Sequence, residues 1–229
     1  MLDATSDDPA DTCVVVPLYR EEEVVGDVVR GLRRSFPRVV CVDDGSGDGS
    51  AREARRAGAV VVEHPFNLGQ GAAIQTGLQY ALTDPTTDYV VTFDADGQHQ
   101  VEDAVAMVDT LRRGEADLVL GSRFLDGRTQ LPWLRRLVLR LAVAHARATT
   151  GLAVTDTHNG LRAMTRAVAA RIHLTQSRMA HASQLLEQVA RMDVVHVEQP
   201  VHILYTPYSR QKGQSLWNSV NIITESLFR

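Results

Sequence analysis

Five short runs rich in β-branched residues, at 13–17, 39–42, 59–63, 89–93 and 118–120, alternate with helix-periodic segments at 21–34, 50–56, 70–82 and 101–112. No other feature restricts the fold as much. Strands alternating with helices of about 10–15 residues build parallel pairs, because each helix carries the chain back to the same end of the sheet. The pattern predicts an α/β domain: a mostly parallel sheet flanked by helices on both faces. In such a sheet ligands bind at the carboxyl ends of the strands. Three polar clusters follow strands directly: Pro17-Leu18-Tyr19-Arg20-Glu21, Asp43-Asp44-Gly45-Ser46-Gly47-Asp48-Gly49 and Asp94-Ala95-Asp96-Gly97-Gln98-His99. The prediction places all three on one edge.

The second half reads differently. A helical pattern at 131–150 carries Arg135, Arg136, Arg140 and Arg147, and a polar loop follows at 155–162. Then come a helix at 180–192, strand-like runs at 194–197 and 201–204, a basic loop at 209–213 and a last helix at 216–228. We read 13–215 as one domain whose later helices face an acceptor, 1–12 as an acidic disordered tail, and 216–229 as an amphipathic helix.

Composition removes several classes of function. The formal net charge of −4 gives no global basic field, so nucleic acid is not an expected partner. No apolar run reaches the roughly 20 residues of a spanning helix, and residues 1–12 lack the basic start and apolar core of a leader. The two cysteines, Cys13 and Cys41, each sit in an apolar run. Buried free thiols in a reducing compartment are the simplest reading, with a disulfide between neighbouring strands the lesser one.

Asp94 and Asp96 are the sharpest chemical signal. Two carboxylates one residue apart after a strand can serve one hard cation, with waters and substrate phosphates completing the shell. An Asp at a helix cap is the competing account, but a cap needs only one carboxylate. Asp43 and Asp44 suit hydrogen bonds to a base or ribose; a turn with a cap at Asp48 or Ser50 explains them equally well in isolation. Asn67-Leu68-Gly69-Gln70-Gly71 opens a helix, where backbone N–H groups favour anions, and a simple tight loop is its alternative. His99 follows the acid pair, and His181 either points into an acceptor site or packs on its helix.

The ordered series PLYREEE, VDDGSGDGS, NLGQGAA, DADGQH, GSR and DTHNGLR resembles the family-2 glycosyltransferases of GT-A fold. Among those it is most similar to the polyprenyl-phosphate (dolichyl-phosphate) sugar synthases, over about 13–215. The resemblance implies a Rossmann-like GT-A domain, a nucleotide-diphosphate sugar as donor, Mg²⁺ or Mn²⁺ as cofactor and polyprenyl phosphate as acceptor. It places Pro17, Tyr19, Glu21 and Asp44 at the nucleobase, with Asp43 and Gly71 on the donor side. Asp94, Asp96 and Gln98 would face the metal and diphosphate. Arg123 would lie near the donor sugar or acceptor phosphate. Asp156, Asn159, Gly160 and Arg162 would border the acceptor, near His181. Arg210 and Lys212 would belong to a basic loop that closes on phosphates. Three positions depart from the family pattern: Arg20 replaces an Asn, Gln70 a Lys, and Gln184 a frequent carboxylate.

The implied reaction is one inverting displacement at the cytoplasmic face of a membrane, in building the cell envelope. Asp96, Arg123, Asp156, Arg210 and Lys212 are its candidate catalytic residues. A saccharide or lipid-linked glycan acceptor is the nearest rival; its hydroxyl would need a base, for which Asp156 is the candidate. A noncatalytic partner-binding protein is the rival from another class, and the intact acid pair argues against it. Attachment to the membrane would be peripheral. The last helix carries Leu216, Val220, Ile223 and Leu227 at i, i+4, i+7 and i+11, beside Trp217 and Phe228, a face for a membrane surface or a small membrane protein. The helix begun by Trp133 suits core packing equally well. Self-association and the identities of nucleotide and sugar stay open.

Overall fold

The computed structural model describes residues 9–125, 143, 151–176 and 180–204. The helix expected at 131–150 (Val143 apart), Arg210, Lys212 and the helix expected at 216–229 lie outside the described residues, as do residues 1–8.

In chain order the strands are β1 (Thr12–Leu18), β2 (Arg38–Asp43), β3 (Val60–Glu63), β4 (Tyr89–Thr92), β5 (Leu118–Ser122), β6 (Arg162–Thr165) and β7 (His196–Pro200). The helices are α1 (Val25–Leu32), α2 (Ser50–Arg56), α3 (Gln70–Leu82), α4 (Val101–Arg112), α5 (Arg166–Ala169) and α6 (Ala180–Ala190). The strands form one seven-stranded sheet in the order β3-β2-β1-β4-β6-β5-β7. β1 runs parallel to both β2 and β4, and β2 parallel to β3. The expected α/β fold with a mostly parallel sheet is therefore present.

The sheet's period of two sorts its side chains into two cores. Val14, Val16 and Leu18 pack with Val25, Val29 and Leu32 of α1 and with Met107 and Leu111 of α4. Cys13 and Val15 face the other way, toward Ile74 and Leu78 of α3 and Leu185 and Val189 of α6. The same alternation settles the cysteines. Cys13 and Cys41 lie in opposite cores, so no disulfide can join them, and burial pushes both thiols up to about 12.

Two parts of the sheet differ from expectation. β6 enters between β4 and β5 and is antiparallel to both. It is only four residues long and starts on an arginine, so it carries no apolar run to announce it. The runs expected at 194–197 and 201–204 are replaced by the single strand β7, which lies at the edge beside β5. Its outer position leaves it partly exposed, so His, Glu and Gln fill it, while Val201 and Ile203 are buried as irregular chain. α1 is also shorter than the 21–34 pattern, because Arg20 N–H and Glu21 N–H donate to the Ser46 and Ser50 hydroxyls and hold the chain in a turn first.

Buried polar ties fix the chain ends of these elements. Asp11 receives Arg112 Nη2 at 2.7 Å and Nε at 3.2 Å, pinning the start of β1 to the end of α4. Arg166 donates to the carbonyls of Leu82, Asp84 and Thr87, covering the C-terminal end of α3.

The close seat of α3 on β1 depends on Gly77, where a Cβ would stand 2.1 Å from Val15 Cγ1. Gly77→Ala should lower stability by about 1–3 kcal/mol in urea unfolding, as overpacked cores do. Gly31→Ala meets nothing nearer than 3.7 Å and should be neutral or stabilising by up to about 0.5–1 kcal/mol, because a glycine in the last turn of α1 gives up helix propensity.

Candidate active site

The carboxyl ends of β1, β2 and β4 open into a cavity of about 400 Å³. Pro17, Tyr19 and Glu21 form one wall, Asn67, Gly69 and Gln70 another, and Asp44, Asp94 and Asp96 complete it. The structure thus brings the three sequence clusters together on one edge.

Asp44 organises the first half of the cavity. Its carboxylate accepts the N–H groups of Leu68 (2.9 Å) and Gly69 (2.7 Å) and a hydrogen bond from His64 Nδ1 at 2.8 Å. His64 Nε2 in turn meets the Thr76 hydroxyl at 2.9 Å. A side chain that accepts two backbone N–H bonds holds the loop in front of α3 against β2. Gly69 precedes α3 with φ of 97°, in the left-handed region that favours glycine. His64 was not singled out in the sequence; its signal was its place as the polar residue right after a strand. Asp43 is buried against the Ser46 N–H and hydroxyl and is not part of the cavity wall.

Gly71 is also outside the cavity wall. A Cβ there would stand 2.2 Å from the Gln176 carbonyl and 2.8 Å from His181 Cβ, so the glycine lets the 173–176 segment and α6 close over α3. Glutamines hold that segment: Gln184 accepts the N–H groups of Thr175 and Gln176, Gln188 the N–H of His173, and Gln75 the N–H of Leu174. Gln184 also donates to the Thr175 hydroxyl. The side chain at the departing position 184 thus braces the 175–176 backbone.

Asp94 is held from several sides. Gln70 Nε2 donates to Oδ1 at 3.1 Å, and His99 Nε2 to Oδ2 at 3.1 Å. The His99 ring stands edge-on to Phe93. Gly160 backs the carboxylate so closely that a Cβ would lie 2.1 Å from Oδ2. Burial pushes the Asp94 carboxyl up, but the His99 hydrogen bond and the positive groups at His99, Arg162 and His181 outweigh it, leaving Asp94 below the usual carboxylate range. Asp96 is the opposite case: burial first, then the Asp94 charge, pushes it up to about 6. Gln98 donates its backbone N–H to Asp96 at 3.0 Å.

Arg123 and Asp156 form a bidentate pair, Nε to Oδ2 at 2.6 Å and Nη2 to Oδ1 at 2.7 Å. Burial pushes the Asp156 carboxyl up, yet the Arg123 charge and hydrogen bonds prevail and hold it below the usual range. Glu198 accepts the N–H groups of Thr155 and Asp156 and fixes this loop to β7. Asn159, Arg162 and His181 are all buried behind Asp94 rather than in the cavity wall.

Two carboxylates, one of them short of a counter-charge, fit a divalent cation. Among the described residues no group of three or more His, Cys, Asp or Glu side chains could hold an ion alone. Asp94 and Asp96 would therefore supply part of a shell that substrate phosphates complete, as magnesium sites commonly do.

The sequence profile of "Glycosyl transferase family 2" matches residues 13–172. The chain belongs to that family, and it is a glycosyltransferase. A Haloferax volcanii dolichyl-phosphate hexose transferase is 31% identical over 208 residues, covering 90% of this chain and 86% of the relative. A Methanococcus voltae UDP-N-acetylglucosamine–dolichyl-phosphate N-acetylglucosaminyltransferase is 27% identical, covering 89% of each chain. Among solved structures, the Mycobacterium tuberculosis glucosyl-3-phosphoglycerate synthase in complex with Mn²⁺, UDP and phosphoglyceric acid superimposes with a TM-score of 0.68 at 18% identity, covering 94% of this chain and 78% of that one. That likeness establishes the GT-A fold of this family-2 enzyme.

The raised Asp96 sets a pH test. A carboxyl raised from 3.8 to about 6 destabilises the folded state once ionised. Its contribution is favourable at low pH and is lost as pH rises from about 4 to about 6. In EDTA, Asp96→Asn should be more stable than the wild type by about 1–3 kcal/mol at pH 7, and the gap should close by about pH 4. Added Mg²⁺ should reverse the order at pH 7. Urea midpoints across that range check both statements; a gap independent of pH would contradict them.

Proposed function

We propose that this family-2 glycosyltransferase moves a sugar from a nucleotide-diphosphate donor onto polyprenyl phosphate, with inversion, using Mg²⁺ or Mn²⁺. The observation that carries the reading is the Asp94–Asp96 pair at the end of β4, lining a cavity in a chain whose relatives include enzymes named for dolichyl phosphate.

Pro17, Tyr19 and Glu21 would receive the nucleoside, in a pocket whose depth Asp44 sets by holding the 68–69 backbone. Asp94 and Asp96, with Gln98 beside them, would hold the metal. Bound there, the metal supplies positive charge for the departing diphosphate. A non-bridging oxygen of the acceptor phosphate attacks the anomeric carbon, the bond to the nucleoside diphosphate breaks, and the configuration inverts. Arg210 and Lys212 are the proposed cations for the phosphates, and Asn159, Arg162 and His181 the proposed acceptor side.

The Arg123–Asp156 pair bears on the choice of acceptor. A hydroxyl acceptor requires a base, and Asp156 is the candidate for it. Both Asp156 oxygens are taken by Arg123, and its carboxyl is held below the usual range. Such a group is a poor base. A phosphate acceptor is already anionic and needs none, so positioning and charge suffice.

Two outcomes follow. With polyprenyl phosphate and a panel of nucleotide sugars, nucleoside diphosphate release should stop in EDTA and return with Mg²⁺ or Mn²⁺. Asp96→Asn should lose most of that activity while remaining folded. Full release in metal-free buffer would sink the metal reading.

Among the described residues no helix is long and apolar enough to cross a membrane. On this proposal the protein meets a lipid acceptor by peripheral contact at the cytoplasmic face. Wild-type protein should sediment with anionic vesicles, and Trp217→Ala/Phe228→Ala should bind them less. Equal binding by both proteins would reject direct attachment through 216–229. No binding by the wild type would favour a small membrane protein as the anchor.

A further inference from the structure

Among the described residues Arg20 is the one non-glycine in the left-handed backbone region, with φ of 56°. Crowding at Cβ makes that conformation unfavourable for a long side chain, and Asn tolerates it far better than Arg. A strained residue persists only where its surroundings fix it. Here they do. The Arg20 N–H donates to the Ser46 hydroxyl at 2.9 Å, and the Glu21 N–H to the Ser50 hydroxyl at 2.8 Å. The Gly49 N–H donates to the Glu22 carboxylate at 2.7 Å. The 20–22 segment is thereby clamped to the turn after β2. The neighbours of Arg20 on either side, Tyr19 and Glu21, both stand in the cavity wall.

None of those three bonds uses the Arg20 side chain, so an Asn at position 20 would keep them all. What the arginine adds is its guanidinium. It lies over the Tyr19 ring, 5.2 Å from the centroid, where the ring's quadrupole attracts a cation. Arg20 Nε donates to the Ser46 carbonyl at 3.4 Å, which sets the direction of the side chain. Tyr19 in turn is 38% exposed and lines the cavity at its proposed nucleoside end. A ring already held on one side loses less freedom when a ligand packs against it, so its contact with that ligand is stronger.

We propose that Arg20 is a positioning residue for the donor: its guanidinium, laid on Tyr19, fixes that ring as the platform on which the donor's aromatic base stacks. This rests on the nucleotide donor of the proposed function and gives its base a specific wall. Every base has a π-face, so the platform selects a nucleoside diphosphate over a bare diphosphate rather than one base over another. The strain at residue 20 then sets stability against donor affinity at a single position.

The probes are UDP, GDP, CDP, ADP and inorganic pyrophosphate, each titrated calorimetrically into the full chain in Mg²⁺. Arg20→Asn should weaken whichever nucleoside diphosphate the wild type binds by about three- to tenfold. It should leave pyrophosphate affinity unchanged and unfold at no lower urea concentration than the wild type. In transfer assays it should raise the KM for the donor far more than it changes kcat. In a Tyr19→Leu background the same substitution should have no further effect on affinity, because the platform is gone. Arg20→Gly suits the same backbone and removes the guanidinium; it decides the matter if Arg20→Asn fails to fold. Equal nucleotide affinity in wild type and variants, an equal loss for pyrophosphate, or an undiminished loss in the Tyr19→Leu background would overturn the proposal. A wild type that binds none of the four nucleotides would reject the nucleotide donor and the platform with it. A wild type that binds one through Arg20 and Tyr19 yet transfers nothing to polyprenyl phosphate would reject the proposed acceptor and leave the platform standing.

Discussion

The contact between the Gly160 backbone and the Asp94 carboxylate is the constraint on which the rest of the site depends. It can form only because residue 160 has no side chain. It ties the end of the parallel half at β4 to the loop that leads into the antiparallel strand β6, the neighbour of β4 in the sheet. Inserting β6 between β4 and β5 carries the 155–162 loop to the acid edge. The Thr92–Gly160 hydrogen bond then locks the register at that point. With Gln70 and His99 on its two oxygens, Asp94 is fixed before any ligand arrives. Preorganisation of this kind is what a charge-stabilising site requires.

The same contact separates two electrostatic environments. On the cavity side Asp96 stands near Asp94 and Glu21, and ionises only at about 6. On the buried side Arg162 and His181 draw the Asp94 carboxyl down. One carboxylate is thus kept ionised and its neighbour kept short of a partner. Equal environments would have left the pair with no such division. Elsewhere in the polar interior Arg123 is closely bonded to Asp156 and Arg112 to Asp11.

The parallel half was legible because hydrophobic periodicity and helix length specify it directly. The bounds of α2, α3 and α4 and the places of β1 to β5 follow from local pattern. β6 and β7 were not legible, since one is four residues long with an arginine at its start and the other is a half-exposed edge. The acid clusters announced where the cavity would open, but not how its carboxylates would be used. Asp43 braces a turn and Asp44 holds a loop, roles set by backbone N–H groups that, for Asp44, come from 24 and 25 residues away. The departure at Gln184 gave no sign in the sequence of its contacts, which are to the backbone of Thr175 and Gln176 eight and nine residues before it.

On the proposed function, the acidity of this edge dictates how substrates enter. A nucleotide-diphosphate donor and a phosphate acceptor are both anions, and the cavity presents Glu21, Asp94 and Asp96. Coulomb repulsion at a few ångströms in a partly buried site is far larger than in water. Among the described cations Arg162 offsets the Asp94 charge from the buried side, but Arg123 is neutralised by Asp156, and Asp96 stays short of a counter-charge. On this reading further positive charge comes with the ligands or from segments outside the described residues. A divalent cation entering with the donor's diphosphate meets the first need. Arg210 and Lys212, placed at the phosphates by resemblance, would meet the second. The acceptor's phosphate is then admitted only after the first charge has been cancelled, which orders donor before acceptor by electrostatics alone.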